Sequence, residues 1–290
     1  MKKPNFFCVG AQKASTTTLH EILKNHPQIY LPKCKETHYF NRDENYINGL
    51  DWYLKEYYSD VENEKAIGEI APNYMYIEQA AERIYNDLGG DLKLIFIFRN
   101  PAERAYSNFL MSVKQKHEIY SFKKAIALEP KRRAEKYPPV FHYINRGFYD
   151  VQVQRLLQYF KKENMMFLVF EKDIVKNQKI TISNILEFLD IESFEFDKDI
   201  KANPAEKMRS RKLYNTLYSK NLFTTIGKAI IPKKDAREKV RGVFARMNTK
   251  KYGKKKELDS LRRYLIDDVY KQSILNLENI IDRDLSLWYK

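Results

Sequence analysis

The sequence predicts an α/β fold, with one mainly parallel central sheet flanked by helices and a helical C-terminal region. Three observations carry that expectation. Apolar runs at residues 6–9, 66–71, 92–98 and 165–170 have the length and near-continuous apolarity of strands covered on both faces. Between these runs apolar residues recur at i, i+3 and i+4, and such alternation implies right-handed crossovers into a parallel sheet. Beyond residue 200 the strand pattern fades and helical spacing takes over. The 290 residues read as one domain, with a core at about 4–200 and a basic loop and helical extension at about 201–290.

Composition narrows the partners without choosing one. A chain that is 43% hydrophobic, with 21 Tyr and 17 Phe, fills a core and is not generally disordered. Its net charge of +14 predicts an anionic partner: nucleic acid, an anionic membrane face, an anionic glycan or a nucleotide. Cys8 and Cys34 are the two cysteines, and they read as buried thiols of a reducing compartment. No apolar stretch reaches 18 residues, and Met1-Lys2-Lys3-Pro4 runs straight into the first strand. The expectation is a cytoplasmic, bacterial protein without signal peptide or membrane span, leaving peripheral membrane contact open.

Phe6 to Val9 open directly into Gly10, a buried strand ending in a turn, and Leu19, Ile22 and Leu23 mark one face of the following helix. Between them lie Gln12, Lys13, Ala14 and four consecutive hydroxyl residues, Ser15, Thr16, Thr17 and Thr18. Strand, tight loop and helix N-terminus make an anion site, because free backbone N–H groups and the positive dipole end point at one place. Lys13 adds a full charge and the hydroxyls add donors, which suits phosphate or sulfate. The spacing is not that of the nucleotide triphosphate loop G-x-x-x-x-G-K-[ST], since Lys13 comes three residues after Gly10. The alternative is an ordinary strand–helix turn rich in N-cap residues.

The first helix should end near Asn25-His26-Pro27, and residues 28–40 read as extended. On an extended backbone i and i+2 share a face, so Glu36 and His38 are expected to line one cleft; a solvated turn is the alternative. Trp52, Tyr53 and Leu54 suggest a local lid or helix, and Ile77, Ala80, Ala81, Ile84 and Leu88 a helix closed by Gly89-Gly90. The central strand at 92–98 exits at Arg99, with Asn100 as N-cap and Pro101 at the first helical position. Ala102, Ala105, Tyr106, Phe109, Leu110 and Val113 form the next buried stripe, and Ser107 lies off it. An arginine at the carboxyl end of a central strand sits at the ligand edge of such a sheet.

Residues 114–140 read as a basic, solvated helix and loop forming an acceptor-facing rim. Val153, Leu156, Leu157 and Phe160 give a helix, followed by the strand at 165–170 and a helix through Ile182, Ile185, Leu186 and Leu189. Residues 207–212 form a basic loop, and 233–256 a charge run that is a solvated face or an interaction patch. The helical pattern at 258–281, with Leu285 and Trp288, predicts packing against the sheet.

The stretch from Gly10 to Leu19 resembles the 5′-phosphosulfate loop of sulfotransferases that use 3′-phosphoadenosine 5′-phosphosulfate (PAPS), usually G-x-x-K-x-G-T-T-x-L. Ser15 replaces the second glycine, and serine accepts a left-handed backbone less readily. Lys35-Glu36-Thr37-His38-Tyr39-Phe40 is similar to the Lys-Glu-x-His-x-Phe of heparan-type glycan sulfotransferases, where the glutamate is the catalytic base. Residues 98–107 resemble the family's 3′-phosphate site, whose arginine and serine match Arg99 and Ser107. Glu69-Ile70-Ala71-Pro72-Asn73-Tyr74 stands where the family often has Glu-Lys-x-Pro-x-Tyr, so Lys33 or Lys35 is expected to supply the charge missing at Ile70. Arg146-Gly147-Phe148-Tyr149 is similar to the family's Arg-Gly-x-Tyr, and the family's basic loop gives Arg209 or Arg211 a role at the 3′-phosphate.

The resemblance covers most of the chain and implies a P-loop-NTPase-like fold and PAPS as donor, with adenosine 3′,5′-bisphosphate (PAP) as product. It implies no metal, and an acceptor hydroxyl or amine on a saccharide or glycolipid. Lys13 and the backbone N–H groups of residues 14–18 would stabilise the leaving phosphate, Gln12 and the hydroxyls of residues 15–18 would join in binding the cofactor, Arg99 and Ser107 would set donor affinity, and Glu36 stands ahead of His38 as base. A sugar or nucleoside kinase would need a lysine beside the helix-start hydroxyl and an acidic metal ligand, whereas the central strand ends in Arg99. A nucleic-acid-binding protein would explain the charge, but no such motif appears and the aromatics read as buried; nucleic acid is not an expected partner.

Overall fold

The computed structural model describes residues 2–194, 206–208, 249–251 and 256–289. Strands β1 (Phe6–Gly10), β2 (Ile29–Tyr30), β3 (Ala66–Ile70), β4 (Lys93–Phe98) and β5 (Met165–Val169) form one parallel sheet in the order β2–β3–β1–β4–β5. The expected α/β architecture is therefore present. Every residue of β1 and β3 is buried, as the unbroken apolar runs require of strands covered on both sides. From β1 the chain builds towards β2 and β3, then crosses back to β4 and β5. The direction of winding thus reverses between β1 and β4, and the carboxyl ends of these two strands open the crevice where such sheets hold ligands.

Helices α1 (Thr16–Leu23), α2 (Asp43–Tyr46), α3 (Gly49–Tyr58) and α4 (Glu78–Leu88) accompany the first half of the sheet, and α5 (Pro101–Lys114) follows β4. The Asn100 side chain accepts from the Ala102 and Glu103 N–H groups at 3.1 and 3.2 Å, so the expected cap and proline start are in place. Gly89 ends α4 at φ 86°, a left-handed position that glycine fills at little cost.

Four expectations change. Only Ile29–Tyr30 of residues 28–40 is strand; the rest is irregular. Within 114–140, α6 (Phe122–Ala134) is not a solvated helix. It buries Phe122 and Ala125, and it buries Arg132 against Glu118 in an ion pair at 2.5 Å. Its Glu129 accepts the Ile144 and Asn145 N–H groups at 2.6 and 2.8 Å, which orders the approach to α7 (Tyr149–Leu157). Buried carboxylates of this kind leave no hydrophobic period to read.

After α8 (Gln178–Phe188), Glu206–Met208 and Thr249–Lys251 pair antiparallel in a region where no strand is expected. Arg209 and Arg211 lie outside the described residues. The C-terminal segment includes α9 (Lys256–Asp259) and α10 (Lys271–Ile281). Helix α10 packs on α7 instead of directly on the sheet, with Ser273 and Asn276 both donating to Asp150. Trp288 does reach the sheet edge: its indole donates to Glu171 at 3.0 Å, and its carbonyl accepts from Asn100 at 3.0 Å. Among the described residues no helix is long and apolar enough to cross a membrane.

Candidate active site

The loop after β1 curls by placing two non-glycine residues in the left-handed region, Lys13 at φ 74° and Ser15 at φ 66°. Serine thus adopts the conformation that glycine would take at its position, at a cost of roughly 1–2 kcal/mol. Ser15 is the N-cap of α1, and no side-chain bond caps the helix there. The Ala14 N–H donates to the Ala11 carbonyl at 3.2 Å and the Ala11 N–H to Ile97 on β4 at 2.9 Å, which pins the loop to the sheet. Ala14 therefore leaves the expected donor set. The N–H groups of residues 15–18 begin a helix and have no intrahelical acceptor. Thr16 and Thr18 are buried and Thr17 is exposed. The Gln12 amide oxygen is buried without a partner among the described residues.

Positive side chains crowd this loop. Burial lowers the Lys13 pKa, and Arg99, Arg104 and Lys114 lower it further. The Arg99 guanidinium donates to the Lys13 carbonyl at 2.9 Å, lies 3.6 Å from Glu103 and stacks on Phe170 at 4.9 Å. Its Nε is buried without a hydrogen-bond partner among the described residues. Lys13 Nζ stands 3.7 Å from the Met111 sulfur. Glu103, Ser107 and Met111 are spaced four residues apart on α5 and share one half-buried face. Since Arg99 touches the first of them and Lys13 the last, Ser107 stands between the two cations. Arg104, enclosed behind this face, donates to the Tyr143 carbonyl.

Glu36 lies on the other side of the crevice. Its carboxylate accepts from Lys35 at 2.9 Å and from the Asn73 amide at 3.4 Å. Asn73 follows the carboxyl end of β3, so this contact places Glu36 and its neighbour Lys35 at the phosphate-loop end of the parallel sheet. Lys35 is therefore the cation near the site, whereas Lys33 is exposed and pairs with Asp60 at 2.8 Å. Asn73 also accepts from Arg146 at 2.7 Å. Burial lowers the Arg146 guanidinium to about 9, with Arg104 adding to the effect. The guanidinium lies 4.6 Å over the Tyr76 ring.

His38 does not join Glu36. Its φ of 59° breaks the extended alternation on which a shared face depends, and its imidazole turns to Asn41 at 3.2 Å.

From Tyr76 a groove of about 780 Å³ runs along α7, lined by Gln79, Arg133, His142, Gln152 and Arg155 among others. The Tyr76 hydroxyl bonds His142 at 2.6 Å and Asn145 at 2.8 Å. Burial and the charges of Arg133 and Arg146 lower the His142 pKa to about 4. The His142 Nε2 and the Gln152 amide oxygen are buried without partners among the described residues.

Sequence reasoning brought Lys13, Arg99, Ser107 and Glu36 to the crevice but assigned nothing to Asn73, Arg104 or Arg146. Asn73 and Arg146 lie inside stretches whose resemblance is visible, Pro72-Asn73-Tyr74 and Arg146-Gly147-Phe148-Tyr149. Arg104 carries no local signal, because a buried arginine on an amphipathic helix reads as a surface residue.

Comparison with known proteins places the chain among sulfotransferases. Over 113 residues the chain is 41% identical to the membrane-associated sulfotransferase kil1 of Dictyostelium discoideum, covering 38% of this chain and 23% of that protein. Over 164 residues it is 30% identical to heparan sulfate glucosamine 3-O-sulfotransferase 5 of Mus musculus, covering 55% of this chain and 46% of that one. Both matches span less than half of the relative's length. A solved sulfotransferase from Alicyclobacillus acidocaldarius superposes with a TM-score of 0.72 at 26% identity, with 100% of each chain covered. The sulfotransferase domain family matches residues 3–274, and the chain belongs to that family.

Proposed function

We propose that this protein moves a sulfuryl group from PAPS to a hydroxyl or amine of a saccharide acceptor, with Glu36 as general base. The observation that carries the reading is the meeting of two cations at one helix N-terminus: the Arg99 guanidinium donates to the Lys13 carbonyl at 2.9 Å, two residues before the N-cap of α1. Cations that lower one another's affinity for protons gain from a polyanionic ligand, and PAPS carries phosphates at both ends of its ribose. PAPS, when bound, supplies a sulfuryl group whose bond to the 5′-phosphate oxygen breaks as a bond to the acceptor forms, releasing PAP.

The chain's own residues divide the work. Lys13 and the N–H groups of residues 15–18 stabilise the charge that develops on the leaving phosphate. Arg99 and Ser107 take the 3′-phosphate and so set donor affinity. Glu36 accepts the acceptor proton, and the Asn73 amide and Lys35 hold its carboxylate in place. A sulfuryl group carries less negative charge than a phosphoryl group, so this reading needs no metal. The saccharide assignment is supported by the names of the heparan sulfate relatives and by Arg133 and Arg155 in the groove leading from Tyr76.

The test is transfer of labelled sulfate from PAPS to heparan sulfate, used as a probe acceptor, in buffer containing a chelator. Label should move with the native protein and should fall on the order of a thousandfold in Glu36→Gln. Turnover of magnesium–ATP in place of PAPS would overturn the reading.

A further inference from the structure

We propose that Glu69 is a positioning residue for sulfuryl transfer: it fixes both chain segments that hold Glu36. This role rests on the assignment of Glu36 as base. Glu69 sits on the central strand β3, opposite Phe7 of β1, and is fully buried. Among the described residues no cation pairs with it. Its Oε1 accepts the Thr37 N–H at 2.6 Å. Its Oε2 accepts three hydroxyls, from Thr37 at 3.0 Å, Tyr74 at 3.0 Å and Tyr53 at 3.1 Å. Thr37 directly follows Glu36, and Tyr74 directly follows Asn73, whose amide donates to the Glu36 carboxylate. One carboxylate therefore ties down the residue after the base and the residue after the base's hydrogen-bond donor.

A purely structural role explains this choice poorly. An apolar side chain would fill the space without the penalty of enclosing a carboxyl group that has no counter-ion. What it could not do is accept two bonds from Thr37, in a stretch outside any helix or strand. Tyr53 carries the clamp on into α3, stacking on Tyr39 at 4.3 Å and bonding Tyr58 at 3.0 Å.

The titratable groups facing Glu69 are Tyr53, Tyr57 and Tyr58 of α3 and Tyr74 after β3, all raised by burial and neutral near pH 7. Burial pushes Glu69 itself up to about 7. The ionised carboxylate accepts all four bonds, whereas the protonated form must turn one hydroxyl into an acceptor. The pH profile of turnover therefore reports on the clamp.

The experiment compares native protein with Glu69→Gln, Tyr53→Phe and Glu36→Gln. It measures PAP binding by calorimetry, and PAPS turnover against pH with heparan sulfate as probe acceptor and with water alone. Glu69→Gln should bind PAP within about twofold of native, lose on the order of tenfold or more in kcat with little change in KM, and lack the native rise near pH 7. Tyr53→Phe, which keeps the stacked ring, should show a smaller loss with the same split, and it carries the test if Glu69→Gln does not fold. Glu69→Gln with native kcat and pH profile, beside an inactive Glu36→Gln, would overturn the role of Glu69 alone. Loss of PAP affinity and thermal stability in step with kcat would reduce Glu69 to a structural residue. Native kcat in Glu36→Gln would instead overturn the base assignment beneath both.

Discussion

The two sides of the crevice are built in different ways. On the proposed donor side, one stretch of ten residues makes the phosphosulfate end: strand, left-handed loop and helix N-terminus deliver backbone N–H groups, Lys13 rides on the loop itself, and Arg99 and Ser107 join from β4 and α5. On the proposed acceptor side, Glu36 lies in an irregular segment and its carboxylate is held by side chains, the adjacent Lys35 and the distant Asn73 directly, with Glu69 acting through Thr37. A backbone-made site is local, and each of its parts tolerates some loss. A site made of side-chain bonds depends on every partner.

The contrast can be broken most sharply at Glu36. Glu36→Gln should lower kcat on the order of a thousandfold while PAP affinity stays native, because the proposed base would face the acceptor and not the donor. Lys13→Ala should cost about 10²–10³ in kcat, the usual size of one lost donor to a developing oxyanion, since the helix N–H groups remain. Steady-state kinetics with calorimetric PAP binding separate the two; equal damage to PAP binding in both variants would erase the distinction between the sides.

Stability sharpens the comparison further. Folded Glu69 keeps its proton up to about 7, whereas an unfolded carboxyl releases it near 4.5. The folded state holds more protons in that window, so native stability is greatest below it and falls as pH rises through it, by on the order of 3 kcal/mol. Chemical denaturation at pH 4.5 and pH 7.5 should find this fall in native protein and its absence in Glu69→Gln. On the donor side the expected effect is smaller and of opposite sense. Ser15→Gly should relieve a left-handed serine and raise stability by roughly 1 kcal/mol or less, with PAP affinity unchanged.

How much was legible follows the same division. The strand–loop–helix at residues 6–23, the strands β3 and β4, the helices α4 and α5, Arg99 at the end of β4 and the Asn100 cap all rest on local pattern, and the structure contains them. Glu36 was visible as a residue, but its surroundings were not. The expected pairing with His38 assumed an extended backbone, and a single left-handed residue redirects that imidazole to Asn41. The buried polar groups Glu69, Arg104, Glu118, Glu129 and Arg146 escape hydrophobic periodicity because their positions are fixed by partners distant in sequence. For the same reason the rim at 114–140 looked solvated although it is held by Glu118, Glu129 and Arg132.

The crevice between β1 and β4 is, on the proposed function, a site for a 3′-phosphorylated adenine nucleotide. Calorimetric titration of native protein and Arg99→Ala with PAP, 5′-AMP and magnesium–ATP tests it most directly. Native protein should prefer PAP to 5′-AMP by on the order of a hundredfold, magnesium–ATP should bind weakly, and Arg99→Ala should lose most of the preference. Equal affinity for PAP and 5′-AMP, or a preference unmoved by the loss of Arg99, would contradict it.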